Sequence, residues 1–246
     1  MASSSGSSRG FLRPSFKRLP LFTTLLLAVC AAVCARAERP AYVRTALERF
    51  STAMPAGWAY TLTTTRNGRA ITERFDPARP SGAQWTLLET EGRVPTAGEI
   101  EKYARARAAA PGGMQANFEK ADIEPGSLVL AQEDEDHAEF TGTFRESSTG
   151  PDKMLGHLSL RLRVAKRVPH VAGYTLELKE PYSPVLGVKM NTLRVEARFS
   201  PPTDDRPSLP VEMTSRFTGR IFFIPTGEDL QLIYRDLTPP STELSR

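Results

Sequence analysis

Three histidines, His137, His157 and His170, are the side chains best suited to moving a proton or ligating a metal at neutral pH. His137 follows the acidic run Glu133-Asp134-Glu135-Asp136, where carboxylates beside an imidazole could attract a divalent cation. A calcium loop needs a glycine at a defined turn and an ordered ladder of oxygen ligands, and "EDEDHAE" offers neither. Zinc needs His and Cys at set spacings, and neither HExxH nor a Cys/His pattern occurs. His157 falls on the polar side of an alternating segment and His170 in the turn "VPHVAG". Downstream of residue 37 there is no GxSxG elbow, no SxxK and no CxxC. Paired carboxylates are frequent but share no spacing that singles out an acid and a base. The expectation is a protein with no catalytic residue set, no metal and no cofactor.

A different residue class carries more signal. Trp58, Tyr60, Trp85, Tyr174 and Phe217 fall on apolar strand faces, with Met190 beside them. Such rings commonly fill a core, but on a strongly curved sheet they can also line a ligand cavity. Met190 adds a flexible thioether that adapts to variable chains. These six are the candidate ligand-binding residues.

The elements that position them read as follows. Glu38–Met54 has apolar residues at helical spacing (Val43, Ala46, Leu47, Phe50, Met54), ended by Pro55 and Gly57. "WAYTLTTTRNGRAITERF" is a hairpin turning at Asn67-Gly68. "AQWTLLE" is a third strand. A second helix follows Pro95, with Thr96 and Glu99 as a capping box and a thin apolar stripe suited to a surface position. From Ser127 onward nearly everything alternates with period two. "AEFTGTF", "MLGHLSLRLRV", "YTLELKE", "VEMTSRFTGRIFF" and, after a turn at Pro225-Thr226-Gly227, "LQLIY" each set apolar residues against charged ones. In "GVKMNTLRVEARF" the apolar parity switches between Met190 and Leu193, which a β-bulge at Asn191-Thr192 would reconcile. A strand starting only after Asn191 is the alternative. The fold class is mainly β (α+β): a curved antiparallel sheet forming an incomplete β-barrel, with an N-terminal and an internal helix.

Residues 1–37 read as a secretory signal. Arg9, Arg13, Lys17 and Arg18 precede a short apolar run, and Ala35-Arg36-Ala37 is an A-x-A cleavage site. A retained anchor is the competing reading, but the run is short for a span. The whole chain carries 32 Lys+Arg and 28 Asp+Glu, and residues 1–37 hold five of the bases and no acid. Residues 38–246 therefore carry 27 bases and 28 acids, a net charge of −1. That balance removes the electrostatic support for nucleic-acid binding. Cys30 and Cys34 both leave with the signal. The expectation is one periplasmic or secreted domain, 38–246, with no disulfide and no stable membrane span.

This element order resembles the LolA/LolB-like superfamily of periplasmic lipoprotein carriers. The segments "WTLLETEGRVPTAGEIEKY" and "PYSPVLGVKMNTLRVEARF" are similar to those of secreted bacterial proteins associated with it. The resemblance implies an incomplete barrel, lidded by helices, whose apolar interior takes acyl chains. The carriers' lid arginine has no assigned position here. On this reading the protein binds a lipid or other apolar ligand without catalysis, in the setting of envelope lipid or lipoprotein traffic. The alternative is an envelope interaction or assembly module with a packed core and a protein partner on charged strand faces, including Arg161, Arg163, Arg194 and Arg198. A hydrolase with an unrecognised site ranks third.

Overall fold

The computed structural model describes residues 39–109, 118–124, 126–145 and 151–240. The signal segment read over 1–37 lies outside the described residues. Among the described residues, two α-helices, α1 (Ala41–Glu48) and α2 (Ala97–Ala109), accompany ten strands. The strands are β1 (Ala59–Arg66), β2 (Arg69–Phe75), β3 (Trp85–Thr90), β4 (Val129–Glu133), β5 (His137–Thr143), β6 (Leu158–Ala165), β7 (His170–Leu178), β8 (Val188–Phe199), β9 (Pro210–Ile221) and β10 (Ile224–Thr238). They form one antiparallel sheet in the order β3-β2-β1-β10-β9-β8-β7-β6-β5-β4, curved and unclosed between β3 and β4. The meander β4 to β10 is therefore extended by the first hairpin through the β1–β10 pairing. The incomplete barrel expected from alternation is the observed architecture.

Period-two patterning decides which face is buried. On β6, Leu158, Leu160, Leu162 and Val164 are at most 2% exposed, while Arg161 and Arg163 between them face outward. The tight turn after β1 has Asn67 and Gly68 both at positive φ, 49° and 80°, as a primed hairpin turn demands. β8 is continuous and carries the bulge: Met190 opposes Gly219 and Thr192 opposes Thr218, which leaves Asn191 as the extra residue. Val188 and Met190 thus share the inner face with Leu193, Val195, Ala197 and Phe199. Gly219 is required at this point, because a Cβ there would lie 2.3 Å from the Lys189 carbonyl.

Two buried clusters line the inner face. The larger one packs Val43, Ala46 and Leu47 of α1, with Phe50 and Phe118, against β5–β8. The smaller joins Tyr60, Leu62, Leu230, Leu232 and Tyr234, and half-buried Met213 packs against both.

Four details depart from the sequence expectations. The first helix ends at Glu48 rather than Met54. Beyond it, Ser51 binds the Ala53 backbone, and Thr52 binds both backbone groups of Phe118. Such side-chain bonds compete with helix continuation. Pro151–His157 is a 3-10 segment rather than the start of β6, so Gly156 and His157 lie outside the strand. His170 opens β7 instead of sitting in the turn; its buried ring Nδ1 lies 2.7 Å from the Val168 carbonyl. The β9–β10 reversal falls at Phe222-Phe223, with Phe222 at φ 54°, whereas Pro225-Thr226-Gly227 lies within β10. β1 reaches only as far as Leu230, so Pro225 leaves no bond to β1 unmade.

Candidate functional site

The curved sheet is not covered evenly. Over β5–β8 the inner face is closed by α1 and by an aromatic group. Tyr174 lies 5.0 Å from Phe118 and 6.3 Å from Phe50, and Phe118 lies 5.1 Å from Phe144, all edge-to-face. Such pairs add about 0.5–1.5 kcal/mol each to the area they bury. Tyr174, one of the six expected ligand contacts, is therefore held in filled core, and its burial raises its pKa.

Trp58 is buried just before β1. Tyr60 and Trp85 meet edge-to-face at 5.8 Å, and Phe75 lies 4.9 Å from Trp85. These rings occupy the β1–β3 side of the sheet, where α2 reaches over them. The Arg107 guanidinium sits 4.2 Å above the Trp85 ring.

Met190 and Phe217 belong to a different place. Both are half-buried and pack against the edge of the main cluster. The β8–β9 register sets them on the inner face with Leu193 and Val188. Past them the face runs out to solvent. Ile221 pairs with Val188 and Ile224 with Ile221, and the turn beyond exposes Phe222 and Phe223. The neighbouring β7–β8 loop meets this turn through the Phe222 N–H, which donates to the Gly187 carbonyl at 2.5 Å. It adds Val185 and Leu186. Leu186 is 100% exposed, Phe223 95% and Ile224 72%, so several bulky apolar side chains form one lip at one end of the sheet. Exposed bulky apolar side chains gathered on two adjoining turns are the composition of a contact surface. Lys189 and Arg220 stand directly opposite one another on the outer side of the same strands.

The six expected residues are thus not one site: Tyr60 and Trp85 are together, Met190 and Phe217 are together, and Trp58 and Tyr174 are in buried structure. The exposed residues Val185, Leu186, Phe222, Phe223 and Ile224 are not among the six. The available signal was "IFFI" at 221–224, four consecutive bulky apolar residues that break the alternation and cannot all face one core.

The remaining chemistry-bearing residues have structural partners. The acidic run caps the β4–β5 turn, where Glu133 pairs with Lys166 at 3.0 Å and Asp136 with Arg167 at 2.7 Å. His157 stacks on Tyr182 with ring centroids 3.8 Å apart. Among the described residues no three His, Cys, Asp or Glu side chains cluster as metal ligands, and no helix is long and apolar enough to cross a membrane. The outer face carries ion pairs such as Arg161–Glu139 at 3.2 Å, Arg194–Glu177 and Arg198–Glu212. Two clefts, of about 350 and 260 Å³, are lined by polar and apolar groups together. One lies beside His170 and Arg206, the other among Arg161, Arg163 and Arg198 on the outer face.

Compared with known proteins, the chain matches no family model, no curated protein and no solved structure.

Proposed function

We propose that the protein binds a lipid or other apolar ligand without catalysis, taking an acyl chain at the lip and along the inner face by Met190, Leu193 and Phe217. The observation that carries this reading is the continuity of half-covered inner face with exposed strand ends: Phe217 and Met190 are half-buried, and Ile221 and Ile224 carry the same face into solvent, with Phe222 and Phe223 exposed at the turn beyond them. The driving force is apolar burial, about 25 cal/mol per Å² removed from water. An acyl chain laid along β8 and β9 would cover side chains that otherwise face water. Envelope lipid or lipoprotein traffic is the setting that the signal-like N-terminus and the carrier resemblance suggest.

The test is titration with a fluorescent fatty-acid probe. Wild-type protein is expected to take it up, and Phe217→Asp to lose uptake at least about tenfold, because a carboxylate on that face must be desolvated under the chain. Circular dichroism establishes that the variant is folded. Uptake unchanged in folded Phe217→Asp would place the ligand elsewhere.

A second reading has its own support. α1, Phe50 and Phe118 fill the β5–β8 half as an ordinary core, and the outer face is richly charged. An interaction module would work through that outer face, with the lip seated on a protein. It is favoured if the wild-type chain takes up no acyl probe.

A further inference from the structure

Glu73 on β2 is 1% exposed. Its cross-strand partners are Leu62 and Leu87, so it points into the inner, apolar side of the sheet. Arg107 of α2 donates to its Oε1 and the Tyr103 hydroxyl stands beside the carboxylate, whereas Oε2 is buried with no hydrogen bond of good geometry. An open acceptor on a buried carboxylate costs stability. The surroundings are aromatic. The Arg107 guanidinium carbon lies 4.2 Å from the Trp85 ring centre and 5.7 Å from that of Tyr103, and its Nε donates to the Tyr103 hydroxyl at 3.3 Å. Phe75 and Tyr60 pack on Trp85, with ring centres at 4.9 and 5.8 Å. Burial holds the Tyr60 and Tyr103 hydroxyls protonated, with pKa values pushed up to about 12.

A carboxylate combined with ring faces within about 6 Å is the arrangement by which proteins hold organic cations. A small inorganic ion would find too few oxygen ligands here. The cation now seated there comes from a helix with little other attachment. Of Ile100–Arg107 only Tyr103 and Arg107 are not exposed, and Ile100 is 49% exposed.

We propose that Glu73, Trp85 and Tyr103 form a binding site for an alkylammonium or guanidinium group, and that Arg107 occupies it as the chain's own stand-in. An incoming cation displaces the Arg107 side chain, takes the open Oε2 of Glu73 and stacks on Trp85. This inference is independent of the lip, since the probe cation needs no acyl chain.

The experiment is calorimetric titration of wild type and Arg107→Met with tetramethylammonium and choline, against sodium chloride at equal ionic strength. Arg107→Met removes the competing charge and keeps an apolar stem. The expected result is binding tighter in Arg107→Met than in wild type by on the order of tenfold, abolished when Glu73→Gln or Trp85→Leu is added. Folded Arg107→Met that binds neither cation would overturn the proposal and leave Arg107 as a helix tie. Should Arg107→Met fail to fold, the wild type's tryptophan emission decides. A saturable response to tetramethylammonium beyond that to sodium supports the site, and identical responses overturn it. Lysophosphatidylcholine as a further titrant separates the sources: equal affinity with choline identifies a free cation, and tighter binding identifies an amphiphile's headgroup.

Discussion

A carboxylate with almost no contact with water must be compensated or protonated. Burial pushes the pKa of Glu73 above its ordinary 4.5, and Arg107 and Tyr103 pull it back only in part. The folded chain therefore holds this proton more tightly than the unfolded chain. The contribution to stability is fully present below about pH 4.5 and is lost as pH rises through the folded value. Glu73→Gln cannot lose a proton. Relative to wild type, its melting temperature is expected to rise as pH increases across that window. A constant difference from acid to neutral pH would show that Glu73 titrates normally. Leu162 is 0% exposed at the centre of β6 and presents the opposite case. Leu162→Ala should cost about 2–5 kcal/mol in denaturant unfolding, because a close-packed interior collapses only partly around the void. A cost below 1 kcal/mol would mean the inner face is loosely filled there.

At the scale of elements, the bulge in β8 governs what the lip can be. With Asn191 in place, Val188 and Met190 face inward and Lys189 outward. Deleting Asn191 reverses that parity and turns Lys189 toward the apolar side. The expected outcome is a loss of about 1–3 kcal/mol, together with loss of acyl uptake. Unchanged stability and uptake would show that the 183–187 loop absorbs the missing residue. The bulge was legible in the sequence because the parity switch between Met190 and Leu193 has few physical solutions. The strand faces, the Asn67-Gly68 turn and the Thr96–Glu99 capping box were legible for the same reason: each rests on local chemistry. In that box Glu99 Oε2 accepts from the Thr96 N–H at 2.8 Å, and Arg93 with Thr96 holds the Glu99 pKa at about 2. The β9–β10 reversal was not legible. Pro-Thr-Gly has strong turn chemistry, and only tertiary pairing, with β1 stopping at Leu230, lets Pro225 sit in a strand. The Glu73–Arg107 pair joins residues 34 apart in sequence through a helix crossing the sheet, and no spacing rule announces it.

For the whole molecule, the unclosed sheet divides the labour. One half, β5–β8 under α1, is a filled core that supplies stability without disulfides in residues 38–246. Toward the β9–β10 hairpin the same inner face is left half-covered and ends in an exposed lip. Alternation marks the greasy face, and the expected contacts were the aromatic rings on it together with Met190. That picked Trp58 and Tyr174, which the fold buries, and passed over Leu186 and Phe223, which it exposes. Aromatic size marks burial potential; exposure depends on where the chain turns. The central claim is that the half-covered face takes an apolar ligand. It is tested most directly by native mass spectrometry of the protein purified without detergent, followed by organic extraction of anything bound. The expected result is an adduct with the mass of a lipid in wild type, absent from folded Phe217→Asp. A clean apo mass that gains nothing on incubation with fatty acid would contradict the claim and leave the lip as a protein-contact surface.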